Sequence, residues 1–108
     1  METFGAVHIA IPSAGIMIVD QTLTKNRSLN MKLFDKLMQI NLFGSVYVAK
    51  HAAVAMAKNK PIDGERGIIL FLSSLAAEDS ARGWVPYGAS KGAINGMALP
   101  MARDLGKY

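Results

Sequence analysis

The 108-residue sequence is 51% apolar and 19% charged, with a formal net charge of +4. That composition excludes a disordered chain and fits one domain or part of one. It has no cysteine, which excludes disulfides, zinc–thiolate sites and cysteine nucleophiles and agrees with a reducing compartment. The 12 lysines and arginines are scattered rather than gathered in one run, so no direct nucleic-acid site is expected.

The most apolar stretch, residues 5–19, is too short to span a bilayer, and Met1, Glu2 and Thr3 before it carry no positive charge. Neither a membrane segment nor a signal peptide is expected. Within it, residues 6–11 form a short, nearly continuous apolar run that ends in Pro12, Ser13, Ala14 and Gly15. Strands buried on both faces of a parallel sheet have this form. His8 has no partner at ligand spacing and reads as an ordinary strand residue.

Residues 30–58 carry a helical pattern. Leu33, Phe34, Leu37, Met38, Leu42, Val46, Ala49 and Ala53 recur at three- and four-residue steps. Ser28 or Asn30 suits its start as a cap, and Pro61 and Gly64 mark its exit. His51 reads as a helix-surface residue. Asn41 falls inside the apolar stripe, where a buried amide needs partners. It is either a satisfied core polar group, at a helix bend near Gly44, or a water-holding group in a proton path.

A second apolar run, residues 68–72, ends in Ser73 and Ser74. A hydroxyl there lies at the carboxyl end of a strand, where parallel sheets bind ligands. Either serine also suits a plain turn or cap. Trp84 follows in a loop and either borders a pocket or packs that loop. Residues 86–105 form the last helical pattern, with Pro100 expected to perturb it. Strand, helix, strand, helix argues for a parallel sheet with helices on its faces. Two strands alone make a poor sheet, so bare strand edges are expected.

Tyr87 and Lys91 are four residues apart on that last helix and so share a face. A free phenol ionises near ~10 and is a weak acid or base at neutral pH. A nearby ammonium stabilises the phenolate, and such a pair can pass a proton to or from a substrate oxygen. Tyr-x-x-x-Lys by itself is mostly a surface pair. The full run Tyr-Gly-Ala-Ser-Lys-Gly-Ala at residues 87–93, thirteen residues after Ser74, is far more specific.

Residues 71–77 followed by 87–93 resemble the active-site region of the short-chain dehydrogenase/reductase family, and Ile40, Asn41 and Leu42 fit its pattern. The resemblance covers essentially the whole chain. Residues 57–69 and 98–105 look most like the branch that contains 3-hydroxyacyl-CoA dehydrogenases and also acts on hydroxysteroids. The resemblance implies part of a Rossmann-like doubly wound parallel sheet, an α/β fold, as one partial domain over residues 1–108. It implies an enzyme that interconverts a secondary alcohol and a ketone with NAD or NADP, NAD being favoured. Substrates would be small alcohols or ketones, or acyl-CoA thioesters.

In that resemblance Tyr87 is the general acid/base. Lys91 assists it and holds the nicotinamide ribose, and Ser74 orients the substrate oxygen. Asn41 holds a water linking Lys91 to solvent. Ser13, Ala14 and Gly15 stand where the family supports the cofactor, although Pro12 and Ser13 replace its usual Asn-Asn. The family's two corresponding helices pair as a four-helix bundle. A homo-oligomer is therefore expected, through stripes at Leu33, Leu37, Phe43 and Val46 and at Ala89, Ala93 and Met97. Cytoplasm or mitochondrial matrix is the implied location.

The family's glycine-rich turn for the pyrophosphate does not occur in these residues, nor do its later strands and substrate-covering loop. A central fragment, with little or no activity alone, is the expectation. A pairing module without catalysis is the alternative.

Overall fold

The computed structural model describes residues 2–108. The chain runs β1 (Ile9–Ala10), α1 (Met31–Met38), a π-turn (Gln39–Phe43), α2 (Gly44–Met56), β2 (Ile68–Ile69), a 3-10 turn (Leu75–Ala77) and α3 (Val85–Leu105). The strands are parallel, with Ile9 opposite Ile68 and Ala10 opposite Ile69. The Ile68 N–H donates to the His8 carbonyl at 2.8 Å, and the Leu70 N–H to Ala10 at 2.9 Å. Asn59 fixes this register from outside the sheet: its Nδ2 donates to the carbonyls of Val7 at 2.7 Å and Arg66 at 2.9 Å.

Both paired segments are shorter than the apolar runs predict. A ladder persists only where a partner holds it, and each strand here has one neighbour. The expectation of burial on both faces is also corrected. Ala10 and Ile69 face α2, joining Ala52, Met56 and Val7 in a small core. Ile9, Ile11, Ile68, Leu70 and Leu72 point the other way and are exposed. The helices cover one face only.

The chain's accessible surface is 7667 Å². A compact chain of this mass exposes about 5,800 Å². Its radius of gyration is 16.8 Å, against roughly 13 Å for a compact domain of this length. Both differences reflect the bare sheet face and the open helix flanks.

The long helical pattern holds from Met31 to Met56 with one irregularity. Asn30 caps its start, its Oδ1 accepting from the backbone N–H groups of Lys32 and Leu33. The buried side runs Leu37, Asn41, Ser45 and Ala49, all at four-residue steps. Steps of four overshoot a 3.6-residue turn. The π-turn inserts the extra residue that takes up the overshoot, and its wide bond runs from the Gly44 N–H to the Gln39 carbonyl. Leu37 is 0% exposed inside this helix pair. It therefore cannot belong to an outward pairing stripe, whereas Leu33 and Phe43 are exposed.

Helix α3 continues unbroken through Pro100, against the expected perturbation. It packs along α1, the π-turn and the 3-10 turn. Pro86, Ser90 and Ile94 are its innermost side chains. Gly88 permits the closest approach: a Cβ there would stand 2.9 Å from the Ala76 carbonyl oxygen. Among the described residues no helix is long and apolar enough to cross a membrane.

Candidate active site

Pro86 sits in the first turn of α3, where its fixed φ suits a helix start. Tyr87 follows directly, and Lys91 lies one turn on. The Lys91 ammonium stands 5.8 Å from the centre of the Tyr87 ring and donates to the Leu72 carbonyl at 2.9 Å. Lysine has three donors, so two remain for a ligand or for the phenol. Leu72 follows β2, so the pair sits beside that strand's carboxyl end. Trp84 meets the Tyr87 ring edge-on, centroids 6.0 Å apart.

The geometry separates the two serines. The Ser73 hydroxyl donates to the Lys91 carbonyl at 3.2 Å and so is tied to α3. Ser74 caps the 3-10 turn, its Oγ accepting from the Ala76 N–H at 3.1 Å. A capping oxygen accepts and leaves its own O–H free to donate.

Asn41 is 1% exposed. Its Oδ1 accepts from the Ile16 N–H at 2.8 Å, and its Nδ2 donates to the Ile16 carbonyl at 2.8 Å and to Ser90 Oγ at 3.3 Å. The Ser90 hydroxyl in turn donates to the Tyr87 carbonyl at 2.8 Å. The amide thus ties the loop after β1 to the helix turn that carries Tyr87 and Lys91. Both Nδ2 hydrogens are taken, so a water held here would have to donate to an oxygen of Asn41. Ser13, Ala14 and Gly15 are exposed on the loop that Asn41 anchors. A Cβ at Gly15 would approach Asn41 Oδ1 to 3.4 Å.

Asp20, Arg27 and Ser90 were not singled out by the sequence. The available signal for Asp20 was its place just beyond the longest apolar stretch. It is 2% exposed. Its Oδ2 accepts from the Asn30 N–H at 2.7 Å, and Oδ1 lies 2.6 Å from Arg27 Nη2. That second contact is an ion pair off the hydrogen-bond line, since Oδ1 has no aligned donor. The Arg27 guanidinium, with the Asn30 N–H, holds the Asp20 carboxyl below the usual carboxylate range.

A cleft of about 320 Å³ opens between the ends of α2 and α3 and the start of β2, among Met56, Ile69, Phe71, Met101 and Leu105. It lies at the far end of α3 from Tyr87, and none of the candidate site residues lines it. Among the described residues no group of three or more His, Asp or Glu side chains could hold a metal ion. The Tyr87 hydroxyl and the Lys91 ammonium are donors of the kind a nicotinamide ribose takes. The sequence carries no glycine-rich turn for a pyrophosphate, so these residues fit one end of a dinucleotide only.

A family model described as short chain dehydrogenase matches residues 1–108. The 3-hydroxyacyl-CoA dehydrogenase type-2 of Bos taurus is 39% identical over 107 residues, covering 96% of this chain and 41% of that relative. The crystal structure of 3-hydroxyacyl-CoA dehydrogenase type-2 from Mycobacterium avium superposes with a TM-score of 0.88 at 26% identity, over 93% of this chain and 41% of that one. A 7α-hydroxysteroid dehydrogenase complexed with NADH and 7-oxo glycochenodeoxycholic acid gives a TM-score of 0.82 at 27% identity, over 98% and 38%. The chain thus spans about two fifths of the length of the relatives it matches.

Proposed function

Because the chain belongs to the short-chain dehydrogenase family, we propose that it carries the acid–base centre of a nicotinamide-dependent oxidoreductase for secondary alcohols and ketones. The observation that supports this most is the Tyr87–Lys91 pair beside the carboxyl end of β2, with Nζ 5.8 Å from the ring centre. In the oxidative direction Tyr87 Oη accepts the hydroxyl proton of the substrate alcohol. A nicotinamide bound here would supply the acceptor for the hydride that leaves the carbinol carbon. Lys91, with two donors free of Leu72, holds the ribose and keeps a positive charge beside the Tyr87 phenolate that takes up this proton. Ser74 donates its hydroxyl hydrogen to the substrate oxygen. Asn41 serves the site through the backbone it holds, and any water on the proton path accepts its place at an oxygen of that residue. Ser13, Ala14 and Gly15 line the approach of the cofactor.

By likeness to its relatives the substrate class is a 3-hydroxyacyl-CoA thioester or a hydroxysteroid, with NAD as the favoured dinucleotide and cytoplasm or mitochondrial matrix as the compartment. The family connection also makes a homo-oligomer through the long helices part of this reading.

The bare apolar face of β1 and β2 favours a second reading, in which the chain is a non-catalytic pairing module. Titration with NADH and NADPH, followed by nicotinamide fluorescence, separates the two. Saturable binding that persists in Tyr87→Phe, with turnover lost in that variant, supports the enzyme. No binding at millimolar dinucleotide overturns it and leaves the pairing module.

A further inference from the structure

We infer that the Asp20–Arg27 ion pair is a positioning device for Trp84 and, through it, for Tyr87; its catalytic consequence rests on the oxidoreductase reading above. Asp20 is an acidic side chain buried in a loop whose neighbours Val19 and Gln21 are exposed. Burying a carboxylate is unfavourable unless charge and hydrogen bonds compensate. Here its Oδ2 takes the Asn30 N–H and its Oδ1 takes Arg27. The carboxylate thereby folds residues 20–30 into a closed loop against the start of α1.

The same residue reaches the substrate side of the site through its backbone. The Asp20 N–H donates to the Gly83 carbonyl at 2.7 Å, and Asp20 bridges Trp84 in parallel fashion. Gly83 is at φ +86, and a Cβ there would lie 2.9 Å from Val19 Cγ1. The loop before α3 is therefore pressed directly on residues 19 and 20. The Trp84 carbonyl accepts the Gly88 N–H at 2.7 Å, while its ring meets Tyr87 edge-on. A rigid path thus runs from Arg27 through Asp20 and Gly83 to Trp84 and the acid–base tyrosine. A half-exposed arginine far along the chain fixes the rotational setting of the helix's first turn.

Trp84 is the single tryptophan, so 5-fluorotryptophan incorporation gives one ¹⁹F resonance that reports its surroundings. In the full chain, Asp20→Asn and Arg27→Ala are expected to move that resonance in the folded state, with helical circular dichroism retained, and Arg27→Lys to return it toward its original position. A pair that only adds stability would lower the melting temperature and leave the folded-state resonance unmoved; that result overturns the inference. Should Asp20→Ala fail to fold, the Asn and Arg27 variants still decide. With turnover measured, kcat is expected to fall about tenfold or more in Asp20→Asn, with the KM for dinucleotide unchanged, and an unchanged kcat overturns the assignment. Where the chain alone shows no turnover, the resonance decides the positioning role by itself, and the dinucleotide titration above decides the oxidoreductase reading.

Discussion

Removing the Asn41 amide tests the tie between the loop after β1 and α3. In Asn41→Ala, the Ile16 N–H and carbonyl both lose the partner that held them at 2.8 Å, and Ser90 Oγ loses a donor. Leaving a buried backbone group unpaired costs about 1–3 kcal/mol. Ile16 is half-buried, so the lower part of that range applies to each of its two groups. With the small cavity left by the amide, the expected loss is about 3 kcal/mol. For a domain of this length that lowers Tm by roughly 12–20 °C. Asn41→Asp is nearly isosteric and keeps the acceptor for the Ile16 N–H, yet it sets a carboxylate oxygen against the Ile16 carbonyl. It should be at least as damaging as the alanine. Urea unfolding gives the energies, and amide exchange at Ile16 gives the local signature. The Ile16 amide should exchange slowly in the parent chain and far faster in Asn41→Ala. Losses below about 1 kcal/mol, with Ile16 still protected, would refute the clamp.

Helix α3 offers a paired glycine test. Gly88→Ala drives a methyl to 2.9 Å from the Ala76 carbonyl and should destabilise by about 1–3 kcal/mol. Gly92→Ala meets only the Ala77 carbonyl at 3.9 Å and should stabilise by up to about 1 kcal/mol through helix propensity; urea midpoints that fail to move in opposite directions contradict the packing. Asp20 titrates below the ordinary carboxylate range in the folded chain. Its stabilisation is fully present above the unfolded value near ~3.9 and is lost as pH falls through the lower folded value. Asp20→Asn should flatten that acid limb of a stability–pH profile, and an unchanged limb would assign the proton uptake elsewhere. Tyr87→Phe should lower kcat by about 10²–10⁴-fold with dinucleotide affinity kept, whereas Lys91→Met should weaken dinucleotide binding as well; kinetics and direct titration distinguish these outcomes.

The helices were legible because each is long and periodic. Residues 30–58 and 86–105 were expected, and Met31–Met56 and Val85–Leu105 were found. Tyr87 and Lys91 share a face by helix geometry alone, and their seven-residue run carries the family resemblance by itself. The strands were legible in kind and too long in extent, because ladder length depends on neighbours rather than on apolar composition.

Tertiary structure alone decided which partners meet. Asn41 reaches Ile16 across 25 residues and Ser90 across 49, separations at which a local pattern holds no information. It also decided that Ser73 is tied to α3 while Ser74 keeps a free hydroxyl hydrogen. It turned the sheet to leave Ile9, Ile68 and Leu70 bare, and it buried Asp20 beneath Arg27. Sequence determines what a segment can form through backbone propensity and hydrophobic period, which act over a few residues. Burial and hydrogen-bond partners arise only when distant segments pack, and there the clamp at Asn41 and the strut at Asp20 come into being.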